Sequence, residues 1–374
     1  MIITISITII AVILAYISSK TKYGLPMLFK VAFVLVTFLQ VIHFDYGSDY
    51  MQYYNQHFLY TGTLKDFIHM SQKGYGAYRS IAWAVINRLF PGELGFFFIV
   101  ALISIIENII YYKFITQNVE RKDQWKSFAI YLFMTNLYLI NFSALRQGFS
   151  IALAVLAMMM VGKKKPIPAM VILIIAALFH SSAIVMIPFV LLSLIPLGNG
   201  KKYGIIISVI SLLLFVSNTL VGDTFSRIVQ SIPYIESQYG LYYENVQTAE
   251  SLGLGFALRL VMFIVLIYFV IVRFEELKFE QKLFVLLSCI DLCIIPFQVS
   301  LSGMMSRIEY YFLAFQVIAV PAVYTRLKNN AIRLGVSAIY VFYLLFGYYN
   351  FFFVTEWSAE SYEHFHTIFD VIFK

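Results

Sequence analysis

The chain has 374 residues, of which 61% are hydrophobic and only 13% are charged, and its mean hydropathy is +0.81. Soluble domains are about 45–50% apolar and about 25% charged, so a water-soluble fold does not account for this composition. Lipid is the solvent that accepts so much apolar surface. The expected fold class is therefore all-α, a polytopic bundle of transmembrane helices.

The net charge is +7, and the Lys and Arg residues occur in short clusters between apolar runs. This distribution is typical of membrane topology signals and not of a nucleic-acid patch. We expect the lipid bilayer to surround the chain, and we expect no nucleic-acid partner.

Six apolar runs have the length of a single span, which requires about 17–25 residues. They cover residues 2–18, 27–44, 94–112, 203–221, 254–272 and 334–354. Three further runs, 127–162, 167–197 and 283–325, are too long for one helix and have Lys or Arg at both ends. Because basic residues favour the cytoplasm, each of the three is predicted to cross outward and return as a hairpin.

About twelve spans follow, in a single integral membrane domain over residues 1–374 with both termini extracytoplasmic. Large outer loops are predicted at 45–93 and 222–252. Residues 79–90 are apolar but would form a helix of only about 18 Å, which is too short for about 30 Å of hydrocarbon. We therefore predict a re-entrant or interfacial helix near 79–90 on the outer face.

Polar side chains concentrate at the predicted outward turns of the three hairpins and after the second span. They are Arg146-Gln147, His180-Ser181-Ser182, Ser306-Arg307, Asp45, Asp49, Tyr50, Tyr53 and Tyr54. Each also has an ordinary interpretation. An Arg at a helix end extends to headgroups, an interfacial Tyr joins the aromatic belt, and a His is often a hydrogen-bonded core residue. The sequence does not decide between these readings or show whether the residues share one cavity.

Asp291 lies near the middle of its predicted span, where a charge costs about 2.5–3.5 kcal/mol on insertion scales. Arg259, one turn into the preceding span, is its candidate partner. The two are either a structural ion pair or part of a functional site. The neighbouring Cys289 and Cys293 are expected to be free thiols that pack like small apolar residues.

Three local patterns resemble the EpsG family of Wzy-like membrane proteins, which polymerise exopolysaccharide, capsule or O-antigen. They are Gly47-Ser48-Asp49-Tyr50 with Tyr53-Tyr54, Asn141-Phe142-Ser143-Ala144-Leu145-Arg146-Gln147-Gly148, and Leu178-Phe179-His180-Ser181-Ser182 with Pro188. A looser fourth match is Ser306-Arg307-Ile308-Glu309-Tyr310-Tyr311. In order and spacing the resemblance covers most of the chain. It departs before Gly47, where the family often has Arg and this chain has His43-Phe44-Asp45, so Arg79 or Arg88 is a candidate substitute.

The resemblance implies an inverting glycosyltransferase at the outer face of the bacterial cytoplasmic (inner) membrane, with no metal and no cofactor. Its substrate would be oligosaccharide repeat units on undecaprenyl pyrophosphate, and a flippase and a chain-length regulator are candidate partners. Pyrophosphate and sugar would contact Arg146, Gln147, Arg307, Arg79, Tyr50, Tyr53 and Tyr54. Asp49, Asp45 and His180 are the candidates for acceptor positioning and general base catalysis.

Three other functions stay open at this point. A lipid-linked sugar flippase or transporter would place polar groups through the full membrane depth, whereas here they crowd one face apart from Asp291 and Glu107. A membrane acyltransferase that modifies the polysaccharide would want a cytoplasmic donor site, and the inner loops are short. A non-catalytic assembly subunit leaves no signature of its own.

Overall fold

The computed structural model describes residues 1–20, 26–57, 80–217, 227 and 253–373, without the side chains of 296–304. Contacts divide the chain into two units. The first comprises Met1–Val161, Lys165–Val190 and Leu344–Lys374, and the second comprises Gly162–Lys164 and Leu191–Tyr343.

The described residues are predominantly helical, as the composition predicts. In chain order the elements are α1 (Ile2–Lys20), α2 (Pro26–Ile42), β1 (His43–Phe44), α3 (Tyr50–His57), α4 (Ile81–Leu89), α5 (Glu93–Asn118), a 3₁₀ turn (Arg121–Asp123), α6 (Gln124–Phe133), α7 (Ile140–Ser143), α8 (Leu145–Gly162), α9 (Pro166–Phe179), a 3₁₀ helix (Ser181–Leu194), α10 (Gly200–Val216), α11 (Leu254–Arg273), a 3₁₀ turn (Phe274–Glu276), α12 (Phe279–Leu313), α13 (Gln316–Tyr324), α14 (Asn330–Phe353), α15 (Glu356–Ser361), β2 (His366–Thr367) and α16 (Phe369–Ile372).

Among the described residues, five helices are long and apolar enough to cross a membrane. Four of them (α1, α5, α11 and α14) coincide with runs predicted as single spans, and the fifth is α8. The remaining two predicted single spans form α2 and α10. The structure thus confirms a helical membrane protein, while the number of twelve spans stays a prediction.

The predicted hairpin over 127–162 does break, but over residues 134–144, before the predicted tip at Arg146-Gln147. Helix α6 ends at Phe133, the short α7 follows, and α8 begins at Leu145. Arg146 and Gln147 consequently lie in the first turn of α8. Most of α8 is enclosed, since 83% of its residues are buried.

The run 167–197 breaks at His180, but its second arm is a 3₁₀ helix of 14 residues, Ser181–Leu194. A 3₁₀ helix rises about 2.0 Å per residue, so this arm extends about 28 Å, against about 21 Å for an α-helix of the same length. Runs of more than 3–4 residues are uncommon in this conformation. Because of its larger rise per residue, the second arm spans a greater length than an α-helix of 14 residues would.

The run 283–325 also folds back on itself, although α12 is helical from Phe279 to Leu313. In a straight helix Asp291 and Glu309 would lie about 27 Å apart, yet the guanidinium of Arg259 contacts both carboxylates. The rings of Phe284 and Phe315 stack at 5.8 Å. Helix α12 therefore reverses direction between Asp291 and Glu309.

The predicted turn at Ser306-Arg307 is wrong in position. Ser306 and Arg307 lie inside the helical run of α12, close to Glu309, so they do not form the break between its two arms. The error arose because the most polar residues of the run were taken as its turn.

Helix α4 covers most of the segment predicted as re-entrant or interfacial. It has 9 residues, which corresponds to about 13 Å, and it packs against α9 and α5. Its shortness agrees with the prediction, whereas its place on the outer face is untested. The predicted outer loops fall largely on residues 58–79, 218–226 and 228–252, outside the described residues.

An aromatic core holds α2, α5 and α6 together in the first unit. The Phe33 ring lies 4.5 Å from Phe128 and 5.3 Å from Tyr112, while Tyr111 stacks on Tyr131 at 4.2 Å. Aromatic pairs at these distances add about 0.5–1.5 kcal/mol each beyond area burial. This packing fixes the helices whose ends carry the candidate site.

Candidate functional site

The segment that follows α2 is held by the C-terminal part of the chain. Strand β1 pairs antiparallel with β2, with His43 opposite Thr367. The N–H of Gly47 donates to the carbonyl of Ser361 at 3.0 Å. The Tyr46 hydroxyl, which is fully buried, lies 2.7 Å from that of Thr4. Backbone pairing on both sides therefore fixes the segment that carries Asp45 and Asp49.

Ser143 connects the pattern that contains Asp49 with the pattern that contains Arg146. Its hydroxyl accepts the N–H of Asp49 at 3.0 Å and lies 3.0 Å from the Ser48 hydroxyl. Gly47 has φ +112°, and a Cβ added there would lie 2.7 Å from the Ser143 Cβ. Only glycine permits this approach without strain. Asp49 is thereby anchored to Ser143, which lies three positions before Arg146 in sequence.

Arg146 is positioned by two side chains from different elements. Its Nη1 donates to the Ser80 hydroxyl at 2.9 Å, and its Nε donates to the Tyr53 hydroxyl at 3.3 Å. The guanidinium carbon lies 5.1 Å from the Tyr53 ring centre, within range of a cation–π interaction. The guanidinium is half-buried and pre-oriented at the start of α8.

The first turn of α8 packs tightly against the preceding turn. Gln147 is 5% exposed and Asn141 is 4% exposed. A Cβ at Gly148 would collide with the side-chain carbonyl of Asn141. The glycine of this pattern thus serves close packing, and Gln147 lies inside the protein next to the cationic residue.

His180 reaches the same end of the unit. Ser150, one turn after Arg146 on α8, donates to the carbonyl of Ala176 at 2.9 Å and to that of His180 at 3.5 Å. The Nδ1 atom of His180 lies 2.6 Å from the Ser182 hydroxyl. The sequence-based idea that a neighbouring Ser orients this ring is confirmed for Ser182.

The candidate tyrosines differ in exposure. Tyr50 is fully buried, with its hydroxyl donating to the carbonyl of His43 at 3.2 Å, and Tyr53 is 6% exposed. Tyr54 is half-buried and donates to Glu93. Burial raises the pKa of Tyr50, and burial together with the Glu93 bond raises that of Tyr54 to about 12. These phenols stay protonated near neutral pH and do not act as bases.

Asp45 and Asp49 have different surroundings despite their spacing of four residues. Asp45 is exposed and has φ +46°, so it lies in a turn beyond the end of α2. Asp49 is half-buried directly before α3. Arg79 lies outside the described residues, so its predicted role stays a prediction.

In the second unit, Arg259 forms the ion pair with Asp291 that the sequence suggested. The distance from Nη2 to the Asp291 Oδ2 is 2.6 Å, and Nη1 lies 2.5 Å from Glu309. Asp291 is fully buried, and its other oxygen, Oδ1, has no hydrogen-bond partner among the described atoms. Pairing with Arg259 offsets the cost of a lone carboxylate in lipid, and whether the cluster also has a functional role stays open. Arg307 belongs to the same unit and stays a separate prediction.

Sequence reasoning missed Ser80, Ser143 and Glu309 as partners. Ser143 lies inside a family-like pattern, and Ser80 immediately precedes a short apolar helix, a position where Ser is common. Glu309 was quoted only as part of the loosest pattern. None of the three is informative until the fold brings it to Arg146, Asp49 or Arg259.

Basic residues lie at the opposite end of the first unit. Arg121 donates to the carbonyl of Ser18 at the end of α1, and Lys126 pairs with Asp123 at 2.6 Å. The helices α1, α2, α5 and α8 thus have a basic end and an end that carries Asp49, Arg146 and His180. The charge pattern predicted that these two ends face opposite sides of the membrane, and that assignment stays a prediction.

The apolar helices and the polar group at one end define a multi-pass membrane protein of the all-α class. A sequence model of the EpsG family matches residues 26–364, and the chain belongs to this family. The family suggests a Wzy-like polysaccharide polymerase and a glycosyltransferase-like activity in general. Comparison with curated proteins and with solved structures gave no match.

Proposed function

We propose that this protein transfers oligosaccharide repeat units from undecaprenyl pyrophosphate to a second lipid-linked acceptor, at the outer face of the cytoplasmic membrane. An acceptor hydroxyl attacks the anomeric carbon of the donor sugar. The bond from that carbon to the pyrophosphate oxygen breaks, and undecaprenyl pyrophosphate leaves with the electron pair. Attack opposite the leaving group inverts the anomeric configuration.

Arg146 is the proposed ligand of the leaving pyrophosphate. A guanidinium makes bidentate, charge-assisted contacts with phosphate oxygens, each worth about 1.5–3 kcal/mol. Its orientation by Tyr53 and Ser80 supports this role, because a pre-oriented donor loses less side-chain freedom on binding. Charge that develops on the leaving oxygen would strengthen the contact in the transition state.

Asp49 is proposed to orient the acceptor hydroxyl, and His180 is proposed to accept its proton. The bond from Asp49 N–H to Ser143 and the contact between His180 and Ser182 support these roles by fixing both residues. An imidazole has an unperturbed pKa of about 6.5 and is largely able to accept a proton near pH 7. This mechanism requires no metal ion.

The observation that carries the proposal is the convergence of three separate sequence patterns on one end of the first unit. Ser143 connects the patterns of Asp49 and Arg146, and Ser150 connects those of Arg146 and His180. Of the two buried acidic residues that favour the alternative of a transporter, Asp291 is paired with Arg259, whereas Glu107 is buried in α5, so this alternative stays open.

Reconstitution tests the proposal directly. The purified full chain in liposomes with lipid-linked repeat units should produce glycans longer than one repeat, at a rate that falls strongly in both Arg146→Gln and Arg146→Lys. Lysine keeps the charge but lacks the planar fork. Arg333→Lys, at the start of α14, is the matched control and should polymerise normally.

Two outcomes would contradict the proposal. Movement of the lipid-linked unit across the bilayer without glycan growth would identify a flippase. Full activity of Arg146→Lys would mean that this guanidinium only interacts with headgroups.

A further inference from the structure

A groove of about 510 Å³ lies on the first unit between α2 and α5. Val34 and Phe38 of α2 line it with exposed fractions of 64% and 53%, and Ile105 and Ile109 of α5 line it with 43% and 46%. Its volume is within the range of about 300–1,000 Å³ typical of small-molecule sites, which are mostly apolar. The walls of the groove are suited to contact a hydrocarbon chain along α2 and α5.

The groove carries a cation at one end. Lys30 is the one charged residue among the described residues that line it, and it lies in the second turn of α2. From Lys30 to Val41, the furthest lining residue on α2, the helix rises about 16 Å. A matching ligand therefore has an anionic group at one end and a chain of about that length.

The side chain of Tyr112 lies at the same position along the groove as Lys30. Tyr112 lines the groove from α5, and its ring is 5.9 Å from Phe29 and 5.3 Å from Phe33. These two residues flank Lys30 on α2. The Tyr112 hydroxyl and the Lys30 ammonium can therefore both serve one phosphate group as donors.

This end of the groove is the basic end of the unit. Arg121, which donates to the carbonyl of Ser18 near the end of α1, and Lys126 in the first turn of α6 belong to it. Basic pockets between transmembrane helices on the cytoplasmic side are typical sites for acidic lipid headgroups. The groove therefore has the charge and the apolar length of a lipid site, at the end of α2 remote from Asp49.

We propose that the groove binds one acyl chain of an anionic glycerophospholipid, with the phosphate on Lys30 and Tyr112. The site is independent of the polymerase proposal, because it uses none of the residues assigned to the reaction. A bound lipid here would cover the exposed apolar walls of α2 and α5 and tie these two helices together at their basic ends.

Native mass spectrometry of the full chain tests this site, with phosphatidylglycerol and phosphatidylcholine of equal chain length added in turn. Wild type should retain phosphatidylglycerol preferentially. Lys30→Gln should weaken that retention about five-fold, the equivalent of about 1 kcal/mol for one basic residue near headgroups. Lys113→Gln is the matched control, an exposed lysine on α5 that does not line the groove.

A second variant tests the apolar part. Val34→Trp fills the groove from an exposed position, so it should reduce retention of both phospholipids while the chain still folds. Equal retention of the two lipids by wild type, or equal losses in Lys30→Gln and Lys113→Gln, would overturn the proposal. So would preferential binding of a polyprenyl phosphate, or dimer formation through this face in place of lipid.

Discussion

Replacing Gly47 by alanine tests how closely the Asp49 segment must approach α7. A Cβ at this position would lie 2.7 Å from the Ser143 Cβ and 2.9 Å from its Cα, and the backbone has φ +112°. Left-handed backbone costs an alanine about 1–2 kcal/mol, and overpacking costs about 1–3 kcal/mol. The loss of unfolded-state freedom returns about 0.4–1 kcal/mol. The net expectation from these terms is a destabilisation of about 1–5 kcal/mol.

Alanine substitutions at two further glycines distinguish the cost of backbone strain from the cost of steric collision. Gly92 has φ +77° but no described atom within 4 Å of an added Cβ, so Gly92→Ala should lose only the strain energy of about 1–2 kcal/mol, less the same unfolded-state return of about 0.4–1 kcal/mol. Gly347 lies inside α14 with the same open space, and Gly347→Ala should be neutral or stabilising.

The assay is unfolding of the three variants in mixed micelles, followed by circular dichroism, together with the polymerisation rate. Gly47→Ala should be the least stable and should also lose activity, because it displaces Asp49 from Ser143. Equal stability of Gly47→Ala and Gly92→Ala would refute the reasoning, since it would mean that the segment moves away from Ser143 at no cost.

The remaining predictions concern topology, the buried charges and the base. A cysteine at Lys164 should resist an impermeant thiol reagent in intact cells, and labelling there would reverse the predicted orientation. Arg259→Gln should cost about 3–5 kcal/mol in a micelle unfolding assay because it leaves two buried carboxylates without their cation. Asp291→Asn keeps the other ion pair and should cost clearly less, and equal costs would disprove this account. His180→Gln should lower the polymerisation rate by about 10²–10⁴-fold and remove its acidic limb, whereas loss of activity in Asp49→Asn alone would move the base to Asp49.

Composition and charge clusters predicted much of the fold, because lipid leaves few alternatives to apolar helices. They located α1, α2, α5, α10, α11 and α14 within a few residues. They failed in detail at α12, where polarity at Ser306-Arg307 was taken for the turn. Both residues lie inside helical backbone, and Arg259 contacts a carboxylate on each of the two arms, Asp291 and Glu309. Hydropathy does not encode such a long-range contact.

The candidate site was predictable as a set of polar patterns but not as a geometry. Asp49, Arg146 and His180 stood out as polar residues at helix ends. Their connections through Ser143 and Ser150 depend on which helices are neighbours. Serine is common in any sequence, so Ser143 and Ser150 cannot be recognised as connecting residues before the packing of the helices is known.

The pairing of β1 with β2 has a consequence for biogenesis. Residues 43–47 are held by the ribbon to His366–Thr367 and by the bond to Ser361, which the ribosome adds more than 300 positions later. A nascent chain inserts its first helices long before these partners exist. The segment with Asp45 and Asp49 therefore reaches its final conformation only after nearly the whole protein has been translated. A truncated product that lacks these residues would enter the membrane with its site unassembled.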